Sequence, residues 1–199
     1  MKLFLAALAP LVGLAFAAPT PADVAPRCGT TYLPTILQTL VEDTPGVVSP
    51  NPSGFKVAST YGPDGRLSHR TSQLVGFTGI APGSYGCQLN VAFPNIVNVT
   101  PAGRAVQLNV TTLLNGRPGD IKTANAFTFA SVPTLSPGQG LFGTINAVPG
   151  THAVVNSEAC ASSLAFVFEI SVWQAFSASV DFVQGTYLPP SGVYLTANC

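Results

Sequence analysis

The chain is 199 residues long, and only 8% of its residues are charged, with eight basic and eight acidic side chains. A soluble domain ordinarily carries about 25% charged residues, so hydroxyl and amide groups must wet most of this surface. This balance excludes a nucleic-acid partner, because contacts to phosphates need a strong positive field.

Residues 1–17 have the pattern of a secretory signal peptide. Lys2 precedes an apolar run from Leu3 to Ala17 that ends in small residues, which predicts cleavage after Ala17. The run spans 15 residues, fewer than the roughly 20 that cross a bilayer as a helix, so no membrane anchor is expected. We therefore expect a secreted, extracellular protein, free or associated with the cell wall.

The segment after the leader predicts an extended lead-in at residues 18–27, which contain three prolines and no apolar pattern. Residues 28–199 fit one domain. A short capping helix is expected between Leu33 and Asp43, because Pro34 suits a first helical turn. Four apolar residues recur there at helical spacing: Ile36, Leu37, Leu40 and Val41.

From Phe55 onward the apolar pattern changes to a period of two, which predicts strands. The clearest strand runs from Leu164 to Trp173, with a second at Ala178 to Gln184. The other predicted strands are around Phe55–Ser59, Leu74–Thr78, Cys87–Phe93, Val106–Val110, Asn125–Ala130, Gly140–Ala147, His152–Asn156 and Gly192–Thr196. About nine or ten short strands separated by Gly and Pro turns predict an all-β fold, an antiparallel two-sheet β-sandwich.

Cys28, Cys87, Cys160 and Cys199 form an even set in a chain predicted to be exported. This composition predicts two disulfides, for which three connectivities are possible. We favour Cys28 with Cys87 and Cys160 with Cys199, because each bond would fix one end of the chain to an interior strand.

Two triplets match the acceptor pattern for N-linked glycans. They begin at Asn98 and at Asn109. Asn109 is the favoured site, because it lies on the face of its predicted strand that points away from Val106, Leu108 and Val110. Pro101, directly after the first triplet, should lower the use of Asn98.

Several segments taken together resemble a known family. Their residues are Cys28 with Tyr32-Leu33-Pro34, Phe77-Thr78-Gly79-Ile80 before Gly83-Ser84-Tyr85-Gly86-Cys87-Gln88-Leu89, Leu141-Phe142-Gly143-Thr144 before Asn156-Ser157-Glu158-Ala159-Cys160, and Gly192 to Cys199. With these segments the chain resembles the fungal ubiquitin-binding-protein But-two C-terminal-domain family over nearly its whole mature length. The resemblance implies a secreted fungal all-β domain without assigned catalytic residues. The family name points to a ubiquitin-pathway partner inside the cell, whereas the leader peptide points outside.

The usual catalytic patterns are missing from the sequence. It contains no G-x-S-x-G segment, and its two histidines, His69 and His152, are expected to be exposed strand residues. Neither histidine belongs to a metal-binding motif, so no metal and no cofactor is predicted.

Glu169 and Asp181 form the one carboxylate pair of interest. If the two clearest strands made a hairpin, both acids would share the outer face with Ser171 and Trp173. Such a pair could serve a glycosidase, which needs two carboxylates about 5 to 10 Å apart, or a calcium site, or be two unrelated surface acids.

The sequence therefore favours a secreted non-catalytic β-sandwich that acts through surface interaction with cell-wall polysaccharide or an extracellular protein. Trp173 is the candidate ligand-binding residue, because sugar rings stack on exposed aromatic side chains. The alternative is a carbohydrate-active enzyme that uses Glu169 and Asp181. The sequence leaves the partner and the oligomeric state open.

Overall fold

The computed structural model describes residues 28–50, 53–113, 127–135 and 140–199. The leader and lead-in predicted for residues 1–27 lie outside this part of the chain. Within it, the protein forms thirteen strands and one helical turn. They are β1 (Thr30–Tyr32), β2 (Ile36–Val41), β3 (Ser49–Pro50), β4 (Gly54–Tyr61), β5 (Leu67–Thr78), β6 (Cys87–Ala92), β7 (Asn98–Thr100), β8 (Val106–Leu113), α1 (Val132–Leu135), β9 (Gly140–Ala147), β10 (His152–Glu158), β11 (Ser163–Ile170), β12 (Ala178–Val183) and β13 (Gly192–Ala197). The thirteen strands exceed the nine or ten that the sequence predicted.

The strands form two antiparallel sheets, as the alternating pattern predicted. The smaller sheet has the order β1-β13-β6-β10, and the larger one follows the path β7-β12-β4-β5-β11-β8-β9. In addition, β2 pairs with β5 and with the short strand β3. No helix of the described residues is long and apolar enough to cross a membrane.

β5 organises the larger sheet. Its residue Thr71 pairs with Val41 of β2 and with Ala58 of β4, whereas Gln73 pairs with Thr39 of β2 and with Phe168 of β11. Because β2 occupies one edge of β5 from Thr71 to Gly76, β4 and β11 share the other edge, one after the other. The sheet therefore branches between Thr71 and Gln73, where β4 and β11 separate. At the branch, the backbone N–H of Lys56 on β4 donates to the side-chain Oε1 of Gln73 at 3.1 Å.

The main core lies between the two sheets. It combines buried residues of β4, β5, β8, β9, β11 and β12 with those of β6 and β13, which gives a sandwich-like arrangement. Phe55 stacks on Phe182 with ring centroids 4.5 Å apart, and meets Phe168 edge-on at 5.3 Å. The predicted inward face of β11 is confirmed, because Leu164, Phe166, Phe168 and Ile170 all belong to this core.

A second, smaller core lies on the opposite face of the larger sheet. Ala165 and Val167 of β11 are buried there with Leu40, Leu74 and Leu113. The segment at residues 127–132 covers them through Phe127 and Val132. The outer face of β11 is therefore only partly open, although alternation alone predicted a solvated face.

The predicted capping helix between Leu33 and Asp43 is wrong, since Ile36–Val41 is strand β2. Its residues alternate between buried and half-buried, with Ile36 and Leu40 in the outer core and Leu37 against the main core. Pairing with β5 satisfies the backbone of this segment on one edge, which a sequence pattern cannot foresee. The strand predicted at Asn125–Ala130 is also wrong over residues 127–130, which form loop and turn; residues 125–126 lie outside the described part.

The structure contains two disulfides, as expected, but with a different connectivity. Cys28 bonds to Cys199 and Cys87 bonds to Cys160, so the favoured pairing is wrong. The physical reason is strand register. β1 pairs with β13 from Thr30 opposite Ala197, which brings the two chain ends together, and β6 pairs with β10, where Cys87 lies opposite Glu158.

Candidate functional site

A cleft of about 140 Å³ opens on the outer face of the larger sheet, at the border of the smaller core. Its polar wall is built by alternate residues of three neighbouring strands: Arg70, Ser72, Thr111 and Glu169. Its apolar wall comes from β2, β11 and the covering segment: Leu40, Phe129, Val132 and Val167. We call this space the Glu169 cleft. It combines one carboxylate and two hydroxyls with aliphatic and aromatic surface.

Glu169 occupies the centre of the polar wall. It is half-buried on β11, opposite Asn109 of β8, and its Oε1 accepts a hydrogen bond of 2.9 Å from Ser72 Oγ. Within the described part of the chain, no other side chain donates to it. Glu169 therefore retains acceptor capacity for hydroxyl groups of a ligand.

Arg70 is held firmly beside Glu169. Its Nε and Nη2 donate to Glu42 Oε1 at 3.1 and 2.8 Å, while its backbone N–H donates to Glu42 Oε2 at 2.9 Å. The guanidinium also lies over the Phe129 ring, 5.0 Å from the centroid. These hydrogen bonds lower the pKa of Glu42 and raise that of Arg70, whose charge Glu169 further favours. Arg70 thus fixes Phe129 in the wall of the cleft.

A second ion pair lies next to the first. His69 Nδ1 is 2.9 Å from both carboxylate oxygens of Asp43, and the hydrogen bond with Asp43 raises the pKa of His69. His69 adopts a left-handed backbone conformation, with φ of 49°. The expectation of an exposed histidine is confirmed, but this residue has an acidic partner.

The polar surface continues from the cleft across β8 and β9. Asn109 Oδ1 accepts hydrogen bonds from Ser171 Oγ at 2.7 Å and from Thr144 Oγ1 at 3.2 Å. Trp173 stands in the turn after β11, 56% exposed, and its indole N–H donates to Gln107 Oε1 at 2.5 Å. This places an aromatic side chain beside a row of amides and hydroxyls.

The turn that carries Trp173 is attached to the sheet by a buried side chain. Gln174 accepts from the backbone N–H of Gln107 at 3.0 Å and donates to its carbonyl oxygen at 2.7 Å. The side-chain amide therefore replaces a strand partner for β8. It fixes the position of Trp173 relative to Gln107.

The hairpin on which a Glu169–Asp181 pair depended does not form. β11 pairs with β5 and β8, whereas β12 pairs with β4 and β7. Because both edges of each strand have other partners, the two acids are not cross-strand neighbours, as in the alternative of two unrelated surface acids. Asp181 lies between Lys56 and Asn98, and its Oδ1 accepts from Asn98 Nδ2 at 2.8 Å.

Other predicted residues lie away from the cleft. Asn98 is exposed on β7, and His152 is exposed on β10 with its Nε2 2.5 Å from the hydroxyl of Tyr194. Burial raises the pKa of Tyr194. Among the described residues, no group of three or more His, Cys, Asp or Glu side chains is arranged to hold a metal ion.

Sequence reasoning missed Arg70, Ser72, Thr111 and Phe129. The first two continue the alternation of β5 backwards from Leu74, so a longer predicted strand would have placed them on one face with Leu74. Phe129 could not be placed from the sequence, because it belongs to a segment without regular structure that covers strands distant in the chain.

The cleft's composition is thus the main guide to its role. A comparison of the chain with models of known protein families found no match, and a comparison with curated proteins found none either.

Proposed function

We propose that this protein is a secreted, non-catalytic β-sandwich that binds polysaccharide outside the cell or in the cell wall. The observation that carries the proposal is the row of polar side chains between the Glu169 cleft and the exposed indole of Trp173. Asn109 lies opposite Glu169 and binds Ser171, and Gln107 on the same strand binds Trp173. Sugar rings present hydroxyls at their rims and C–H groups on their faces, so they suit a carboxylate and hydroxyls beside aromatic and aliphatic walls.

Composition and disulfides support the same proposal. Two disulfides are typical of exported proteins, and the low charge density suits a partner that is itself uncharged. Arg70 is neutralised by Glu42, which leaves little positive charge in the cleft for an anionic ligand. An extracellular protein is the other class of partner predicted from the sequence, and a polysaccharide-binding assay distinguishes the two.

The enzyme alternative required Glu169 and Asp181 to lie side by side on a hairpin, which does not form. A glycosidase needs a second carboxylate within about 5 to 10 Å of the first, on either side of the scissile bond. Asp181 belongs to β12, which neighbours β4 and β7, so it does not supply that second group for Glu169.

The test is a sedimentation assay with insoluble chitin and glucan, followed by calorimetry with soluble fragments. We expect Trp173→Ala to weaken binding about 2- to 10-fold, since an aromatic contact contributes about 0.5–1.5 kcal/mol. Glu169→Gln should weaken it about 10-fold or more, because a hydrogen bond to a charged group contributes about 1.5–3 kcal/mol. Tyr187→Ala is the matched control, an exposed aromatic residue outside the cleft.

Three results would contradict the proposal. They are failure to bind any polysaccharide, binding that is unchanged in both cleft variants, and capture of a protein partner through Trp173 in place of a glycan. Release of reducing sugar that disappears in Glu169→Gln would instead restore the enzyme alternative.

A further inference from the structure

A groove of about 400 Å³ lies at the β7 edge of the larger sheet, apart from the Glu169 cleft. Lys56, Ile96, Asn98, Asp181, Phe182 and Val183 line it. Among the residues that the structure describes, β7 ends the path of the larger sheet and pairs along one edge, with β12. The groove therefore borders a row of backbone groups that could pair with another chain.

Two apolar side chains beside this edge are highly exposed. Ile96 is 87% exposed and Val183 is 74% exposed, and both lie in the groove. Exposed edge strands are ordinarily protected by charge, by proline or by a covering group. Here Lys56 and Asp181 are the charged residues, and they lie opposite each other in the register of β4 and β12.

Asn98 begins one of the two acceptor triplets and lies in this groove. Its side chain is exposed, and its Nδ2 donates to Asp181 Oδ1 at 2.8 Å. An N-glycosylated amide retains one N–H, so this hydrogen bond can persist after modification. Asp181 would then hold the linkage so that the sugar extends along the groove.

Asn109, the favoured site from the sequence, has a different environment. It is half-buried in β8, which lies between β11 and β9, and its Oδ1 accepts from Ser171 and Thr144. A glycan on Nδ2 of Asn109 would leave Oδ1 free to accept, but it would lie over the polar surface between Glu169 and Trp173 and crowd the neighbouring strands β9 and β11.

We propose that Asn98, and not Asn109, carries an N-linked glycan whose first sugars lie in the groove over Ile96 and Val183. In the transfer, Nδ2 forms a bond to C1 of N-acetylglucosamine and loses a proton, while the pyrophosphate of a lipid-linked donor leaves. The acetamido and C–H groups of the sugar cover the apolar side chains, and the glycan keeps other strands away from β7. Since Pro101 follows the triplet, we expect only part of the secreted chains to be modified.

The test is site mapping on the full chain, secreted with its own leader from a eukaryotic host. Enzymatic removal of the glycan in heavy-oxygen water converts the modified Asn to labelled Asp, which peptide mass spectrometry locates. We expect the label at Asn98 and none at Asn109. Asn98→Gln and Thr100→Ala should each abolish the mass difference, whereas Asn109→Gln should leave it unchanged.

A second measurement tests the covering role. Light scattering should show concentration-dependent association of Asn98→Gln, and the added changes Ile96→Ser and Val183→Ser should reverse it. A label at Asn109, the absence of any glycan at Asn98 throughout the secreted protein, or retention of the whole unmodified chain in the cytosol would overturn the assignment of the site. A monomeric Asn98→Gln variant at all concentrations would overturn the covering role.

Discussion

For Glu169, the alternating apolar pattern of β11 predicted the direction of the side chain but not its neighbours. Alternation along β11 predicted that its side chain points away from the main core, and the structure confirms this through its contact with Ser72. The same pattern predicted the wrong partner, because the choice of neighbouring strand depends on segments distant in the sequence. Asp181 instead binds Asn98, which gives it a role in the second site.

Glu158 provides a prediction at this scale. Its carboxyl is partly buried at the end of β10, where Thr112 Oγ1 donates at 3.4 Å, and burial raises its pKa above the ordinary 4.5. A raised folded-state pKa means that the charged form costs stability above that pKa, and that the cost disappears as the pH falls towards 4.5. We expect Glu158→Gln to raise Tm at pH 7 and to have little effect at pH 4.

Thermal unfolding between pH 4 and pH 8 measures this effect. Thr112→Val serves as the control, because loss of the hydroxyl donor should destabilise the charged form and lower Tm at neutral pH. If Glu158→Gln lowered Tm equally at all pH values, the burial of a charge would not be the cause.

At the scale of elements, buried glutamines join segments that do not pair as strands. Gln174 binds the backbone of Gln107, and Gln184 binds both the N–H and the carbonyl of Val193 at 2.8 and 3.0 Å. Gln38 similarly donates to the carbonyl of Phe127, which attaches the covering segment to β2. Each buried amide hydrogen-bonds backbone groups of a neighbouring segment.

Replacing one of these amides should loosen the element that it holds. We expect Gln174→Leu to cost about 1–3 kcal/mol of unfolding free energy. The backbone N–H of Gln107 loses the side-chain acceptor, and its carbonyl keeps the hydrogen bond from the backbone N–H of Ser171 but loses the one from Gln174. Trp173, the only tryptophan in the sequence, should shift its fluorescence as the turn moves. Denaturant unfolding followed by this fluorescence gives both quantities.

Gln88→Leu is the matched control, since Gln88 lies on the smaller sheet and its side-chain Nε2 donates to a side chain, Ser157 Oγ at 3.4 Å, and not to a backbone group. An equal loss of stability in both variants would show that Gln174 has no special joining role.

At the scale of the whole molecule, the two disulfides differ in exposure. The Cys28–Cys199 bond joins residues 171 apart, and Cys199 is exposed, whereas Cys87 of the second bond is fully buried. A second contact between the sheets depends on a glycine, because a Cβ on Gly143 of β9 would lie only 2.7 Å from the carbonyl oxygen of Val155 on β10. Since β9 belongs to the larger sheet and β10 to the smaller one, this close approach brings the two sheets together along one side.

We expect mild reductant to open Cys28–Cys199 before Cys87–Cys160, since access to sulfur governs the exchange. Alkylation of the new thiols and peptide mapping will identify the first bond opened. Removing Cys28–Cys199 by paired Ser substitutions should cost up to about 5 kcal/mol in the chain-entropy model. Reduction of Cys87 first would contradict the prediction.

The sequence by itself determined that β6 and several segments in the second half of the chain become strands. Alternation in β6, β8, β9, β11, β12 and β13 predicted strands because side chains of a strand alternate between two faces whatever its partner. It also determined that the four cysteines would form two disulfides. Gly140–Ala147 was even placed with its observed bounds.

Only the tertiary structure decided which elements meet. The apolar spacing of Ile36, Leu37, Leu40 and Val41 fits a helix, but pairing with β5 makes the segment a strand with both faces covered. The disulfide connectivity, the separation of Glu169 from Asp181, and the cleft that Phe129 completes all depend on strand order. Strand order is set by packing between segments far apart in the chain, which local periodicity does not encode.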